Sequence, residues 1–337
     1  MRVQLELVLS VIDSHTAGEP TRIFSGGLPR LHGDTMLEKM LYMQRHYDWI
    51  RTSTMMEPRG HREMVGAVLT EPTHPEAHVG VFYIDCGYYA PMCGAGALAV
   101  GKVLVETGRV PAVEPVTTVV QETPAGLVKT YVEVRDGEVL SVSLENVPSF
   151  LYRQNIPLEV PEIGRITVDI AWGGNFFVMV DIEQVAAGID ALPVHRLARL
   201  GTEILQVARE QVKVQHPLDP QITFLNDLMF CQQPDKPGAP YRGFVVFGNT
   251  QVDRSPCGTG TCARMARHYA RGELKLNETF VHQSPAKTLF YGKLIKEVKV
   301  GDFTAVVPVI QGEVFITGFN QLVIDRRDPL KKGFLLD

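Results

Sequence analysis

The sequence predicts an α+β protein made of two similar halves, and three observations carry that prediction. Short runs rich in β-branched residues recur along the chain, helical periodicity is clear in only four places, and one motif, C-G-x-G-x-x-A, occurs twice. At 337 residues, 45% of them apolar, the chain can bury more than one core, and its length predicts about two domains.

The predicted strands include Leu5 to Ile12, Val79 to Ile84, Val116 to Gln121, Gly126 to Val134, Ile166 to Ile170, Phe176 to Val180, Gly243 to Phe247 and Val314 to Ile316. The start, MRVQLELVLSVIDSH, reads as a first strand, because no small-residue cleavage site follows it. Helices are predicted over Leu37 to Arg51, Cys93 to Thr107, His195 to Val212 and Cys257 to Arg271. The helix after Cys93 is apolar nearly all round, with only Lys102 and Glu106 charged, and so belongs buried within its own sheet. The helix after Cys257 is more amphipathic. It predicts Cys262, Met265, Ala266 and Tyr269 inward and Arg264, Arg267 and Arg271 outward.

The two motif copies, Cys93-Gly-Ala-Gly-Ala-Leu-Ala and Cys257-Gly-Thr-Gly-Thr-Cys-Ala, lie 164 positions apart (257 less 93), close to half the chain. Each follows a proline closely (Pro91, Pro256) and opens a helix closed by a glycine, Gly108 or Gly272. A proline-marked crossing at Glu145-Asn-Val-Pro-Ser and a return over Gly318 to Asp325 predict two domains. The first is 1–146 plus 319–337, carrying Cys93; the second is 147–318, carrying Cys257.

A net charge of −5 without like-charge blocks gives no footprint for nucleic acid or anionic lipid. No apolar run approaches the roughly 20 residues that a membrane span needs. The expected partner is a small molecule, the expected location the cytoplasm, and the expected assembly a homodimer. Five cysteines are an odd number in a chain too long to need staples, so free thiols are expected, with Cys86 and Cys231 as small buried hydrophobes.

Cys93 and Cys257 differ because each sits at a helix start. Unpaired N–H groups and the partial positive charge there stabilise a thiolate, lowering its pKa from about 8.5 toward neutrality. The glycines that follow leave a bare anion cradle. If both helices address one substrate, N–H groups of Gly94, Ala95, Gly258 and Thr259 share its carboxylate while the two sulfurs flank the α-carbon. That is the arrangement of a two-base racemase. Asp253, four residues before Cys257, is placed to hold the substrate ammonium. The dinucleotide fingerprint is a poor alternative, because Pro-Met-Cys and Ser-Pro-Cys precede the glycines instead of a strand. A metal site is also poor, since C-x₄-C lacks a second ligand pair at zinc spacing. No cofactor is expected.

At these residues the chain resembles the proline racemase family, which includes proline racemases, 4-hydroxyproline 2-epimerases and trans-3-hydroxyproline dehydratases. The resemblance spans nearly the whole chain. It is carried by His15-Thr-Ala-Gly-Glu-Pro, Met56-Glu-Pro-Arg-Gly-His-Arg-Glu-Met, Met92-Cys-Gly, Glu122-Thr-Pro-Ala-Gly-Leu-Val, Gly173-Gly-Asn-Phe-Phe, Val212-Lys-Val-Gln-His-Pro and the block from Phe247 to Thr261. It implies a diaminopimelate-epimerase-like fold: two pseudo-symmetric α/β halves, each wrapping sheet around a central helix. It also implies catalytic roles for Cys93 and Cys257 and an amine contact for Asp253. Ala95 departs from the family's histidine at that position. The dehydratases carry threonine where this chain has Cys257, so inversion is favoured over elimination. Phe247 falls on an aromatic wall of the proline racemases, while Val65 stands where those enzymes have a second phenylalanine. The expected activity is therefore cofactor-independent proline racemisation. The alternatives are 4-hydroxyproline 2-epimerisation, then dehydration of trans-3-hydroxy-L-proline or non-catalytic amino-acid binding. His15, Arg59 and His61 are expected in structural hydrogen bonds, His216 in a turn, and Trp172 in the core, with Gly173, Gly174 and Asn175 on the floor of the site.

Overall fold

The computed structural model describes residues 5–248 and 250–336. The first four residues of the expected opening strand, Asn249 of the Phe247 to Thr261 block, and Asp337 lie outside the described residues. The chain divides into two compact units, Met1–Leu144 with Glu313–Asp337, and Glu145–Gly312. The divisions fall at 144/145 and 312/313, where the sequence placed them at 146/147 and 318/319.

Unit 1 runs β1 (Leu5–Thr16), β2 (Glu19–Gly26), α1 (Met36–Met55), β3 (Val65–Thr70), β4 (Val79–Ile84), β5 (Tyr89–Ala90), α2 (Gly94–Glu106), β6 (Val116–Thr123), β7 (Gly126–Arg135) and β8 (Glu138–Glu145). Unit 2 runs β9 (Phe150–Val160), β10 (Gly164–Trp172), β11 (Phe176–Asp181), α3 (Val194–Gln211), β12 (Asp227–Gln232), β13 (Tyr241–Phe247), β14 (Gln251–Val252), α4 (Gly258–Ala270), β15 (Thr279–Gln283), β16 (Leu289–Val300) and β17 (Phe303–Gly312). The last strand, β18 (Val314–Asp325), returns to unit 1 and pairs antiparallel with β1.

Strand pairing repeats between the units. In unit 1, β1 pairs antiparallel with β18 and β2, β2 runs parallel to β3, β3 antiparallel to β4, β4 parallel to β6, and β6 antiparallel to β7. In unit 2, β10 pairs antiparallel with β9 and β11, β11 runs parallel to β12, β12 antiparallel to β13, β13 parallel to β15, and β15 antiparallel to β16. Each parallel pair needs a crossover, and in both units a helix supplies it: α1 and α2 in the first, α3 and α4 in the second. The expected fold, α+β with sheet wrapped around one helix per half, is the one observed. Helix α2 packs on β1, β2, β3, β6, β7 and β18, and α4 packs on β9, β10, β11, β16 and β17.

Both central helices have 13 residues, and both end with a glycine at positive φ, Gly108 (69°) and Gly272 (72°). Those glycines take the left-handed position that closes a helix without a Cβ penalty. Leu98 and Val100 of α2 are fully buried, and burying side chains of that size stabilises by about 1.5–3 kcal/mol each. The amphipathic reading of α4 needs correction. Arg264 and Arg267, expected outward, are 0% and 3% exposed, and Tyr269, expected inward, is half-buried with its hydroxyl on Glu297. Burial of the guanidiniums is compensated by partners: Arg267 bridges Asp169 (2.6 Å) and Asp181 (2.8 Å), and Arg271, half-buried, reaches Asp169.

Trp172 is in the core, stacked with Phe150 and tilted against Phe176. His216 closes a turn, its Nδ1 accepting from the Leu218 N–H at 3.4 Å, and its ring also packs on Trp172. Burial pushes its pKa down. Arg59 ties Asp328 at 2.7 Å, and His15 Nδ1 accepts from the Gly18 N–H at 3.3 Å. His61 is exposed, 3.9 Å from Glu63.

Candidate active site

Each unit places its cysteine at the N-cap of its central helix. In unit 1, Cys93 has extended backbone (φ −138°, ψ 114°), and its Sγ accepts from the Gly96 N–H at 3.3 Å. The N–H groups of Gly94 and Ala95 belong to the first turn, where no intrahelical acceptor exists. The Thr16 hydroxyl donates to the Ala95 carbonyl at 2.8 Å. Packing demands the glycine at 96, because a Cβ there would lie 2.5 Å from Cε1 of Tyr83, a fully buried ring of β4. Burial, and then the charge of Cys93, push the Tyr83 phenol well above its ordinary pKa.

In unit 2, Cys257 caps α4 with φ +65° and ψ 114°, in the left-handed region that side chains avoid. Its Sγ accepts from the Gly260 N–H at 3.4 Å and lies 3.8 Å from Thr259 Oγ1. A turn holds this backbone. The Cys257 N–H donates to Ser255 Oγ at 3.0 Å, and the Ser255 N–H and hydroxyl both donate to Asp253 Oδ1 at 2.8 Å. Asp253, expected at the substrate ammonium, thus also organises the loop that presents Cys257. Ser255 was not singled out from the sequence. Its signal lies in the repeat, where Pro91 occupies the corresponding position of the first copy and cannot make these bonds.

The four expected cradle residues are all buried: Gly94 and Ala95 at one helix start, Gly258 and Thr259 at the other. Val65 opens β3 in unit 1 at 9% exposure, and Phe247 closes β13 in unit 2 at 6%. Gly173 does not lie open on a floor. A Cβ there would run into the carbonyl of Thr259, so its close approach is to the first turn of α4, while Asn146 donates to its carbonyl at 2.7 Å.

Among the described residues no cysteine is in a disulfide. Cys86, Cys231 and Cys262 are buried; burial pushes Cys86 and Cys262 up to about 12 and raises Cys231 as well. Cys93 is half-buried, and Cys257 is 7% exposed. A cavity of about 690 Å³ in unit 2, lined by Tyr152, Arg209, Lys213 and Asn226 among others, includes none of the expected site residues. Among the described residues no cluster of three or more His, Cys, Asp and Glu could hold a metal ion, and no helix is long and apolar enough to cross a membrane.

Comparison with known proteins gives this duplicated architecture its family. The chain is 45% identical to a proline racemase of Clostridioides difficile over 328 residues, covering 97% of this chain and 98% of the relative. It is 44% identical to a 4-hydroxyproline 2-epimerase of Streptosporangium roseum over 329 residues, covering 98% of each. A crystal structure of a hydroxyproline epimerase from Agrobacterium vitis, with bound trans-4-hydroxy-L-proline, superposes with a TM-score of 0.93 at 30% identity, covering 99% of this chain and 96% of that one. The proline racemase family model matches residues 11–335, and with whole-length relatives at this identity the chain belongs to the proline racemase family of isomerases.

Proposed function

We propose that this protein inverts the α-carbon of proline without a cofactor, with Cys93 and Cys257 as the two acid/base groups. The observation that carries the reading is the duplicated helix start: two cysteines, each the N-cap of a 13-residue helix, each with its sulfur held by the N–H three residues on. Among the described residues no other cysteine is the N-cap of an α-helix. Both the helix dipole and the sulfur-directed N–H favour the thiolate.

In the forward direction one thiolate takes the α-proton, and the C–H bonding electrons pass into the carboxylate as an enediolate. The opposite thiol then delivers its proton to the other face of the α-carbon. One sulfur has gained a proton and the other has lost one, so the protein is left ready for the reverse reaction. First-turn N–H groups of Gly94, Ala95, Gly258 and Thr259 meet the charge that develops on the carboxylate. Asp253 supplies the carboxylate that balances the substrate ammonium. Ala95 offers no side-chain contact to the amine, which gives Asp253 more of that task. Val65 and Phe247 form apolar walls against the ring.

A second reading, epimerisation at C2 of 4-hydroxyproline, draws support from the small Val65 side chain and from relatives named for that substrate. One experiment separates the readings. The protein is incubated in heavy water with L-proline, trans-4-hydroxy-L-proline and trans-3-hydroxy-L-proline, and the products are resolved by chiral chromatography and NMR. Racemisation of proline with α-deuterium, faster than reaction of either hydroxyproline, is the expected result. A large preference for trans-4-hydroxy-L-proline selects the second reading. A cyclic imine means dehydration, and binding without exchange means a sensor.

A further inference from the structure

The helix start in unit 2 rests on a buried polar chain built from Thr261, His282 and Arg264. Thr261, four residues after Cys257, lies 3.1 Å from the Pro256 carbonyl and 2.7 Å from Nδ1 of His282. A carbonyl can only accept, so the single hydroxyl proton goes to Pro256, and Nδ1 must donate to Thr261. The other end of the ring leads to the same tautomer. Arg264 Nη1 lies 3.1 Å from Nε2, and a guanidinium can only donate, so Nε2 carries no proton. Arg264 is itself fixed to the carbonyls of Arg242 (2.6 Å) and Gln232 (2.8 Å). Thr261, Arg264 and His282 are all 0% exposed. Burial first, then the Arg264 charge, hold His282 well below its ordinary pKa, in keeping with a neutral ring. Gly243 leaves the space for it, since a Cβ there would lie 2.5 Å from Nε2.

The first motif copy has Ala97 at the position of Thr261. A methyl group cannot bond the carbonyl ahead of the cysteine, and the nearby buried amide of Gln121 instead donates to Ala97's own carbonyl at 2.9 Å.

We propose that Thr261 and His282 are positioning residues for Cys257: by gripping the Pro256 carbonyl they fix the left-handed backbone at Cys257 and so aim its sulfur. This rests on the two-thiol reading above. Weakening this brace slows the step in which Cys257 takes or gives the proton and leaves the Cys93 step as it was.

The test uses Thr261→Ala, which copies the first motif, with Thr261→Ser as the variant that keeps the hydroxyl. Rates are measured in both directions with α-deuterated L- and D-proline, or with the α-deuterated 4-hydroxyproline epimers if those are what turns over. Thr261→Ala should lower kcat about tenfold with KM changed less than about twofold, the size expected for loss of one buried hydrogen bond. The substrate isotope effect should rise for the enantiomer whose α-proton Cys257 removes and fall for the other, and Thr261→Ser should restore both rate and symmetry. Equal isotope effects in the two directions, or an unchanged rate, overturn the proposal. If Thr261→Ala does not fold, as judged by circular dichroism, His282→Gln carries the same comparison, because it removes the ring nitrogen that faces Thr261. Cys257→Ser is run beside them. If it still racemises, the two-thiol reading fails; if it is inactive while Thr261→Ala leaves the isotope effects equal in the two directions, only the positioning proposal fails.

Discussion

The helices that start at Cys93 and Cys257 share length, strand surroundings and a sulfur held by the N–H three residues on, yet the backbone that presents each cysteine differs. Cys93 has ordinary extended backbone, is half-buried, and leans on Tyr83 through Gly96. Cys257 has left-handed backbone, is nearly fully buried, and is tied through Ser255 to Asp253. The first cap uses backbone that any residue adopts. The second adopts a conformation costing about 1–3 kcal/mol and persists because neighbouring hydrogen bonds over-determine it. Equivalent positions in a duplicated fold can therefore perform one task with different tolerance to change.

The largest test of the comparison removes each sulfur in turn. Cys93→Ser and Cys257→Ser should each lower kcat by about 10⁴-fold, because a serine hydroxyl at its ordinary pKa is a very poor base. Polarimetry on variants with unchanged circular dichroism checks this, and a variant that keeps most of its rate removes its sulfur from the reaction. Exposure then predicts an order of alkylation. Iodoacetamide at pH 8 should modify Cys93 before Cys257 and leave Cys86 and Cys262 untouched, since a thiol at about 12 is ionised in only about one molecule in ten thousand at that pH. Peptide mass spectrometry reads the order, and early labelling of Cys86 or Cys262 would contradict their burial.

A smaller effect separates the units by pH. The six histidines of unit 1 are half-buried or exposed, whereas unit 2 buries His268 and His282. Burial and nearby guanidiniums push His268 down to about 3, outweighing the Glu273 carboxylate 2.6 Å from its Nδ1, and hold His282 well below its ordinary value. Below pH 6.5 the unfolded chain binds protons that these rings refuse in the native state, so stability is full above 6.5 and is lost as pH falls toward 3. The slope is at most about 1.4 kcal/mol per histidine per pH unit. Trp49 lies in unit 1 and Trp172 in unit 2. Urea unfolding followed by fluorescence in Trp49→Phe and Trp172→Phe variants should show the Trp172 midpoint dropping further between pH 7 and pH 5, and equal shifts would refute the assignment. The mildest prediction concerns Val65→Phe, which should raise the preference for proline over 4-hydroxyproline by about tenfold or less, because an apolar wall discriminates weakly against a hydroxyl. A preference moved the other way would remove Val65 from the wall.

Much of the architecture could be read from residue types. The repeat placed both central helices to within a residue, since an N-cap, a glycine stop and continuous apolar content are local signals. Strands such as β9 and β16 escaped notice. Strand β9 carries Pro157 and a left-handed Asn155 that break its pattern, and β16 interleaves three lysines and a glutamate with its buried residues. The arginines of α4 were misplaced outward because periodicity reports which face a residue occupies and says nothing of carboxylates far along the chain; Asp169 precedes Arg267 by 98 positions. Separation along the chain also hid His282, whose tie to Thr261 spans 21 residues and links α4 to β15. Contrasting the two motif copies position by position shows where to look, because Ala97 and Thr261 differ in the one property that matters there.

The glycines of the duplicated motif bear on how such a protein can change over generations. A methyl group at Gly96 would strike the Tyr83 ring, and one at Gly260 would come within 2.6 Å of the Met229 methyl, so a larger residue at either place requires a core side chain to move with it. The residues between them are less confined: the copies already hold Ala95 against Thr259 and Ala97 against Thr261. The two copies thus differ at the second and fourth places after each cysteine, where small changes of side chain alter the surroundings of the sulfur while the glycine between them is kept. Laboratory libraries that exchange the two copies' own residues at 95, 97, 259 and 261 would try only side chains that one helix start or the other already accommodates, with position 261 expected to cost rate when its hydroxyl goes.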